Sequence, residues 1–298
     1  MANYSIRDLE KLSGIKAHTI RIWEKRYQLI QPRRTSTNIR YYSDNELKKL
    51  LNISILHRHG YRISKIAQLD NDEIHERIRE ITNEGCDFIS QVENLVIAMI
   101  ELDENKFEKI LSKSIIRIGF EETIIKLVYP LFEKIGILWV TGTINPAQEH
   151  FMSNLIRQKL VSAIDGQISS DSSASKKFIL FLPEGELHEL GLLFYSFMLK
   201  KSGHQVIYLG QSVPFHDLIE INEIKPSDYL LTSFTSALTG KELIAYLANL
   251  SASFTDLIIF ATGLQLKEIE VSLPENIIKI STPSHFFEEF ERISNKIN

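Results

Sequence analysis

Residues 177–210 read KFILFLPEGELHELGLLFYSFMLKKSGHQVIYLG. FILFL is a β-favouring run, apolar on both faces. HELGLLFYSFMLKKSGH then carries helical spacing, and QVIYLG is β-rich again. A strand without polar alternation must be covered on both sides, which is the condition of a parallel sheet flanked by helices. The alternation continues through FHDLIEINEI, DYLLTSF, GKELIAYLANL, DLIIFATG, NIIKIS and HFFEEFERISNKI. Five apolar strands separated by helices predict a doubly wound parallel sheet over 177–298, with ligands at the carboxyl ends of its strands.

Upstream, residues 167–176 form a polar, Ser-rich linker. Before it, SQVENLVIAMIE, NKFEKILSKSII, FEETIIKLVYPLFEKIGILW and AQEHFMSNLIRQKL space their apolar residues by three and four. These suffice for a four-helix bundle over 74–166. Residues 1–73 read as short helices: Ser5 caps IRDLEKL, Ser13-Gly14 ends it, and a second helix starts near Lys16 with Ile20, Ile22 and Trp23 for packing. After Pro32, RRTSTNIRYY suits a small hairpin or wing, and Ser43 caps DNELKKLLNISILHRHG. The predicted fold is multidomain, α and α/β: a winged helix-turn-helix, a four-helix bundle and a five-stranded, flavodoxin-like sheet.

Charge is distributed unevenly. The net charge of −4 divides into +9 over residues 1–65 and −13 over the remainder. A basic block interleaved with Trp23, Tyr27, Tyr41 and Tyr42 is the footprint of a phosphate-backbone binder. His18, Thr19, Arg21, Arg26, Arg33, Arg40 and Tyr41 are the candidate DNA contacts, because arginine grips phosphate or guanine bidentately. Trp23, between Ile20 and Leu29, reads as core instead. The single cysteine, Cys86, excludes an internal disulfide and a multi-cysteine zinc site. No apolar run is long enough for a membrane span and the start MANYSIRDLEKL is unlike a signal peptide, so a cytoplasmic location is expected.

Arg21-Ile22-Trp23-Glu24, Arg26-Tyr27, Leu29, Pro32-Arg33, Arg40-Tyr41-Tyr42 and Leu47 stand in the order of the MerR family, which the first seventy residues resemble. Glu186-x-His188-x-x-Gly191, followed by Gly203, Tyr208-Leu209-Gly210 and Pro214, is similar to the cobalamin-binding signature of corrinoid proteins. That resemblance implies that His188 ligates cobalt with Glu186 behind it, and that Thr232, Ser233 and Gly263 line the channel for the nucleotide tail. Trp139, nine intervening residues and Glu149-His150 resemble the upper-face signature of light-sensing MerR regulators of the CarH/LitR type. This implies adenosylcobalamin as the cofactor, with Trp139 over the adenosyl group and Glu149 and His150 in the same cap.

Three positions depart from those patterns. The serine motif after the third strand reads LTSFTSAL over 231–238, Leu264 stands where a second glycine is expected, and Val140 stands where some relatives carry histidine. The expected function is a promoter-binding transcriptional regulator, a repressor, sensing adenosylcobalamin and thereby light. It is expected to be a dimer or tetramer, and not an enzyme. The alternatives are a cobalamin-independent regulator of the same architecture, controlled by a protein partner, and a corrinoid methyl-transfer shuttle. A shuttle has no use for a basic winged helix, and no nucleophile–base pair or Gly-rich phosphate loop marks an independent enzyme.

Overall fold

The computed structural model describes residues 4–35, 38–84, 87–140, 145–167, 175–238, 240–267 and 272–297. Cys86 and most of the Ser-rich linker lie outside the described residues, as do the side chains of Trp139 and Val140. The chain divides into two compact units, Met1–Leu155 and Ile156–Asn298.

The first unit opens with α1 (Ile6–Ser13) and α2 (Ala17–Tyr27). Ser5 and Asp8 form the capping box of α1, and Gly14 closes it at φ 72°. A left-handed cap of this kind suits glycine, which has no Cβ to clash. Lys16 precedes α2 without a side-chain cap. The wing is the antiparallel pair β1 (Arg33–Arg34) and β2 (Arg40–Tyr41), in the register Arg33↔Tyr41 and Arg34↔Arg40. Tyr4 extends it through an antiparallel bridge to Tyr42, with backbone bonds of 2.8 and 2.9 Å, while the Tyr4 hydroxyl donates to Asp44. Next come α3 (Asp44–Arg58), α4 (Ile63–Ile66) and α5 (Asn71–Glu84); Ser43 and Glu46 cap α3.

Trp23 is buried and packs against the His57 ring at 5.3 Å, as expected of a core residue. Ile22 is different. The sequence assigns it to packing, yet it is 52% exposed, on the same outer side as Arg21, Lys25 and Arg26. At 100° per residue, Ile20 and Trp23 already fill the inward stripe of α2 and turn Ile22 away from it.

The remaining helices of this unit are α6 (Phe88–Glu101), α7 (Glu104–Ile118), α8 (Phe120–Thr123) and α9 (Tyr129–Val140). Residues Ile124–Val128, between α8 and α9, make one π-helical turn. Buried residues of α6 (Val92, Leu95, Val96, Met99) and of its neighbours (Phe107, Leu111, Leu127, Leu131) form the core. The helix α10 (Pro146–Asp165) contains the division between the two units.

The second unit is β3 (Lys177–Pro183), α11 (Leu190–Lys201), β4 (Gln205–Val213), α12 (Phe215–Ile224), β5 (Tyr229–Ser233), α13 (Gly240–Ser253), β6 (Ile258–Thr262), α14 (Leu264–Lys267), β7 (Ile277–Lys279) and α15 (Pro283–Ile297). Its parallel strands run β4-β3-β5-β6-β7. Alternate residues of β3 feed two cores: Ile179 and Phe181 face one, Phe178, Leu180 and Leu182 the other. That double burial is why the strand is apolar throughout. The chain leaves β3 for β4 on one side and returns for β5 on the other, so the order reverses between β3 and β5. In a doubly wound sheet, this switch point is where a crevice opens for ligands.

Candidate functional site

The loops after β3 and β5 meet at that switch point through Glu186. Its carboxylate is fully buried and accepts backbone bonds from Thr235 (2.8 Å), Ser236 (2.8 Å) and Ala237 (3.2 Å) beyond β5, and from Leu187 (3.0 Å) and His188 (3.1 Å) in its own loop. The Nδ1 of His188 lies 2.6 Å from Glu186 Oε1. Burial alone would push the Glu186 carboxyl up. The His188 ring and the surrounding amides outweigh it and hold the group well below the usual carboxylate range. Glu186 is therefore a fixed anion, and it sets Nδ1 as the protonated nitrogen of His188, leaving Nε2 to carry the lone pair.

The His188 side chain is 59% exposed although its anchor is buried. An exposed imidazole held by its back edge on a buried carboxylate is the donor geometry of a metal ligand. Among the described residues no cluster of three or more His, Cys, Asp or Glu could hold a metal ion unaided. A cobalt ion already held by a macrocycle would need only a single protein ligand, and His188 on Glu186 could supply it. Thr232, completely buried at the end of β5, has a hydroxyl without a hydrogen-bond partner, and Ser233 beside it is also buried. An unsatisfied buried hydroxyl next to a ligand crevice is consistent with a polar group completing it.

Gly263 follows β6 at φ 112°, and a Cβ there would lie 2.2 Å from the Phe234 carbonyl oxygen. Its glycine character is thus required by the close approach of the β5 and β6 loops. Gly191 sits in the first turn of α11 with open space around its Cα. Leu264 is 58% exposed and does not fill the sheet's core.

Several supporting groups escaped the sequence reading. Ser236 Oγ lies 3.2 Å from His188 Nδ1. Buried Glu189, the residue after the histidine, accepts from Arg157 Nε at 2.6 Å and from the Tyr208 hydroxyl at 2.8 Å. Burial and the Glu189 carboxylate push the Tyr208 phenol far above its ordinary range. Tyr208 was visible as part of the second-strand motif, but its partner was not, because the pair is 19 residues apart.

In the first unit, α9 carries Trp139 in its last turn. Asn145 accepts from the Ala147 amide at the start of α10, where Glu149 lies 2.9 Å from His150 Nδ1 and also takes the Ser153 hydroxyl; the His150 side chain is 70% exposed.

The basic face is assembled from α2 and the wing. His18, Arg21, Arg26 and Arg33 are exposed, while Thr19, Arg40 and Tyr41 are half-buried. Glu24 joins the two elements, taking Arg40 Nε at 3.3 Å and the Tyr42 hydroxyl at 3.2 Å. Burial and Glu24 together push Tyr42 up to about 12. Arg40 thus contributes to wing placement as well as to surface charge.

Residues 4–73 match the MerR HTH family regulatory protein model, and residues 91–161 match the B12 binding domain model. The HTH-type transcriptional repressor CarH of Myxococcus xanthus is 28% identical over 221 residues, covering 72% of this chain and 73% of the relative. The repressor CarA of the same organism is 26% identical over 271 residues, covering 88% and 87%. A solved structure of the Methanosarcina barkeri monomethylamine corrinoid protein superposes with a TM-score of 0.51 at 16% identity, covering 66% of this chain and 94% of that one, which is a likeness of fold. The chain carries a MerR helix-turn-helix domain followed by a B12-binding domain and is homologous to the CarH and CarA transcriptional repressors of Myxococcus xanthus.

Proposed function

We propose that this protein is a cytoplasmic, DNA-binding transcriptional repressor that senses adenosylcobalamin, and through it light. The observation that carries the reading is the Glu186–His188 pair: a buried anion presenting an exposed imidazole at the switch point of a parallel sheet. In this reading 1–73 is the DNA reader, 74–166 the helical cap, 167–176 a linker and 177–298 the cofactor-binding sheet.

His188, held by Glu186 and steadied by Ser236, would ligate the cofactor's cobalt through Nε2. Thr232, Ser233 and the turn at Gly263 receive its tail, with Gly191 in the same loop–helix junction. Trp139, Glu149 and His150 are the further cofactor contacts in this reading. When bound, adenosylcobalamin supplies a cobalt–carbon bond that light breaks. The protein's part is to register the loss of the adenosyl group as a change in assembly of a dimer or tetramer, shifting the population away from the promoter-bound arrangement. His18, Thr19, Arg21, Arg26, Arg33, Arg40 and Tyr41 make the contacts with promoter DNA.

A second reading, a cobalamin-independent regulator of the same architecture controlled by a protein partner, rests on the departures at residues 231–238 and at Leu264. The test is an absorbance spectrum and size-exclusion profile of the purified chain with adenosylcobalamin in the dark and after illumination, with His188→Ala alongside. Bound colour in the wild type, a light-dependent size change, and loss of colour but not of DNA affinity in His188→Ala are the expected results. A colourless wild-type protein would move the assignment to the partner-controlled regulator.

A further inference from the structure

Within the first unit lies a groove of about 940 Å³, between α3 on one wall and α7 on the other, with α6 beneath it. Its volume falls in the range of small-molecule sites. None of the residues discussed above as cofactor or DNA contacts lines it.

The charge of the walls is one-sided. Lys48 and Lys49 on α3 face Lys106, Lys109, Lys113 and Arg117 on α7, six cations against three lining carboxylates. On α7 the cations are spaced by three, four and four residues, which gathers them on one helix face. Like charges at that spacing weaken a helix, so the stripe costs stability unless something anionic meets it. The three carboxylates are engaged elsewhere or shared. Glu46 completes the α3 capping box, Asp103 accepts from the Lys106 amide at 3.0 Å, and Glu101 divides itself between Lys48 (3.2 Å) and Lys106 (3.8 Å). Lys49, Lys109 and Arg117 have no ion-pair partner among the described residues. Burial pushes the Lys106 ammonium down despite Glu101 beside it.

The remaining surface suits a flat, hydrogen-bonding group. Ile74, Ile78 and Ile97 are buried there with Phe88 at the edge, while Asn52 and His75 meet at 3.5 Å and Gln91 holds the Ser114 hydroxyl at 2.7 Å. Cations along one wall, an apolar floor and amide groups between them match phosphate, base face and base edge respectively.

We propose that this groove binds a phosphorylated nucleoside, its phosphates on Lys109, Arg117 and Lys49. Because α3 follows directly from wing strand β2, such a ligand would bridge the DNA reader and α7 and bear on how the reader is held. The site is independent of whether His188 holds cobalt.

The test uses the full chain with ADP, adenosine and inorganic pyrophosphate as probes, read by calorimetric titration and thermal melting. ADP is expected to bind saturably, to raise the melting midpoint, and to bind more tightly than either fragment. Lys109→Glu with Arg117→Glu, both exposed positions, should weaken ADP by about tenfold or more with an unchanged circular-dichroism spectrum. Lys49→Glu, on the opposite wall, should weaken it independently. Absence of saturable ADP binding, or ADP affinity indifferent to both sets of substitutions, overturns the site. Equal affinity for pyrophosphate and ADP overturns the nucleoside assignment.

Discussion

The carboxylate of Glu93 on α6, with no exposed surface, is gripped at both oxygens by the guanidinium of Arg58 on α3, 35 residues away in sequence. Ser54 adds a hydrogen bond at 3.2 Å, and Lys134 on α9 lies at 3.8 Å while donating to the Leu12 carbonyl at the end of α1. One buried anion thus links the helix-turn-helix to two helices of the cap. Burial pushes the Glu93 carboxyl up, and Arg58 and Lys134 only partly offset it.

Removing one partner of a buried pair strands the other charge, which costs about 3–5 kcal/mol. Arg58 retains some exposure and Lys134 remains near Glu93, so Arg58→Met should lose roughly 3 kcal/mol, the lower end of that range. The double replacement Arg58→Met with Glu93→Leu should lose less than Arg58→Met alone, since the buried carboxylate is no longer stranded and Lys134 keeps the Leu12 carbonyl. Denaturant unfolding of the three proteins checks both points; a fully stable Arg58→Met would refute the linkage.

Glu186 gives a pH dependence of definite sign. Its folded pKa is depressed below the ordinary 4.5, so its stabilising contribution is present above that value and lost as pH falls toward the folded one. Unfolding of wild type and Glu186→Gln, measured from pH 7 down to pH 3, should show a gap that narrows below about pH 4.5. A gap constant with pH would mean that the contacts of Glu186 do not depend on its charge.

Gly263→Ala should destabilise the sheet unit by at least about 2–3 kcal/mol, because a methyl group there meets the Phe234 backbone while φ is 112°. Thermal unfolding of the variant without cofactor reads this directly. A loss of cobalamin binding at unchanged stability would instead make Gly263 primarily a ligand contact.

Arg21 and Arg40 should behave differently on DNA. Exposed Arg21 acts as a surface cation, so Arg21→Ala should weaken binding about tenfold and flatten the salt dependence by about one unit of slope. Arg40 is tied to Glu24, so Arg40→Ala should alter the salt slope less while loosening the wing. Binding titrations at several salt concentrations separate the two; identical slopes for both variants would remove the distinction.

The strands of the sheet and the caps at Ser5 and Ser43 were legible because they are local: their signals lie within one turn or one strand of the structure they make. The Glu186–His188 pair was legible for the same reason, being two residues apart. Glu93 was not. In VENLVIAMI an acidic residue reads as the solvent side of an amphipathic helix, and only the arrival of Arg58 and Lys134 from distant segments makes its burial tolerable. Ile22 misled in the opposite direction, an apolar residue where the inward stripe was already full. The groove between α3 and α7 escaped notice because each wall looks like an ordinary solvated helix until the other stands opposite.

The bridge between Tyr4 and Tyr42 has a bearing on how the DNA reader comes into being on the ribosome. Tyr4, the wing's outer strand partner, is synthesised 38 residues before Tyr42 and has nothing to pair with until Tyr42 has emerged. Helix α1 can form before that, but the wing is completed only when the chain returns to Tyr4. A truncation that removes Tyr4 should therefore leave α2 helical and the wing unfastened.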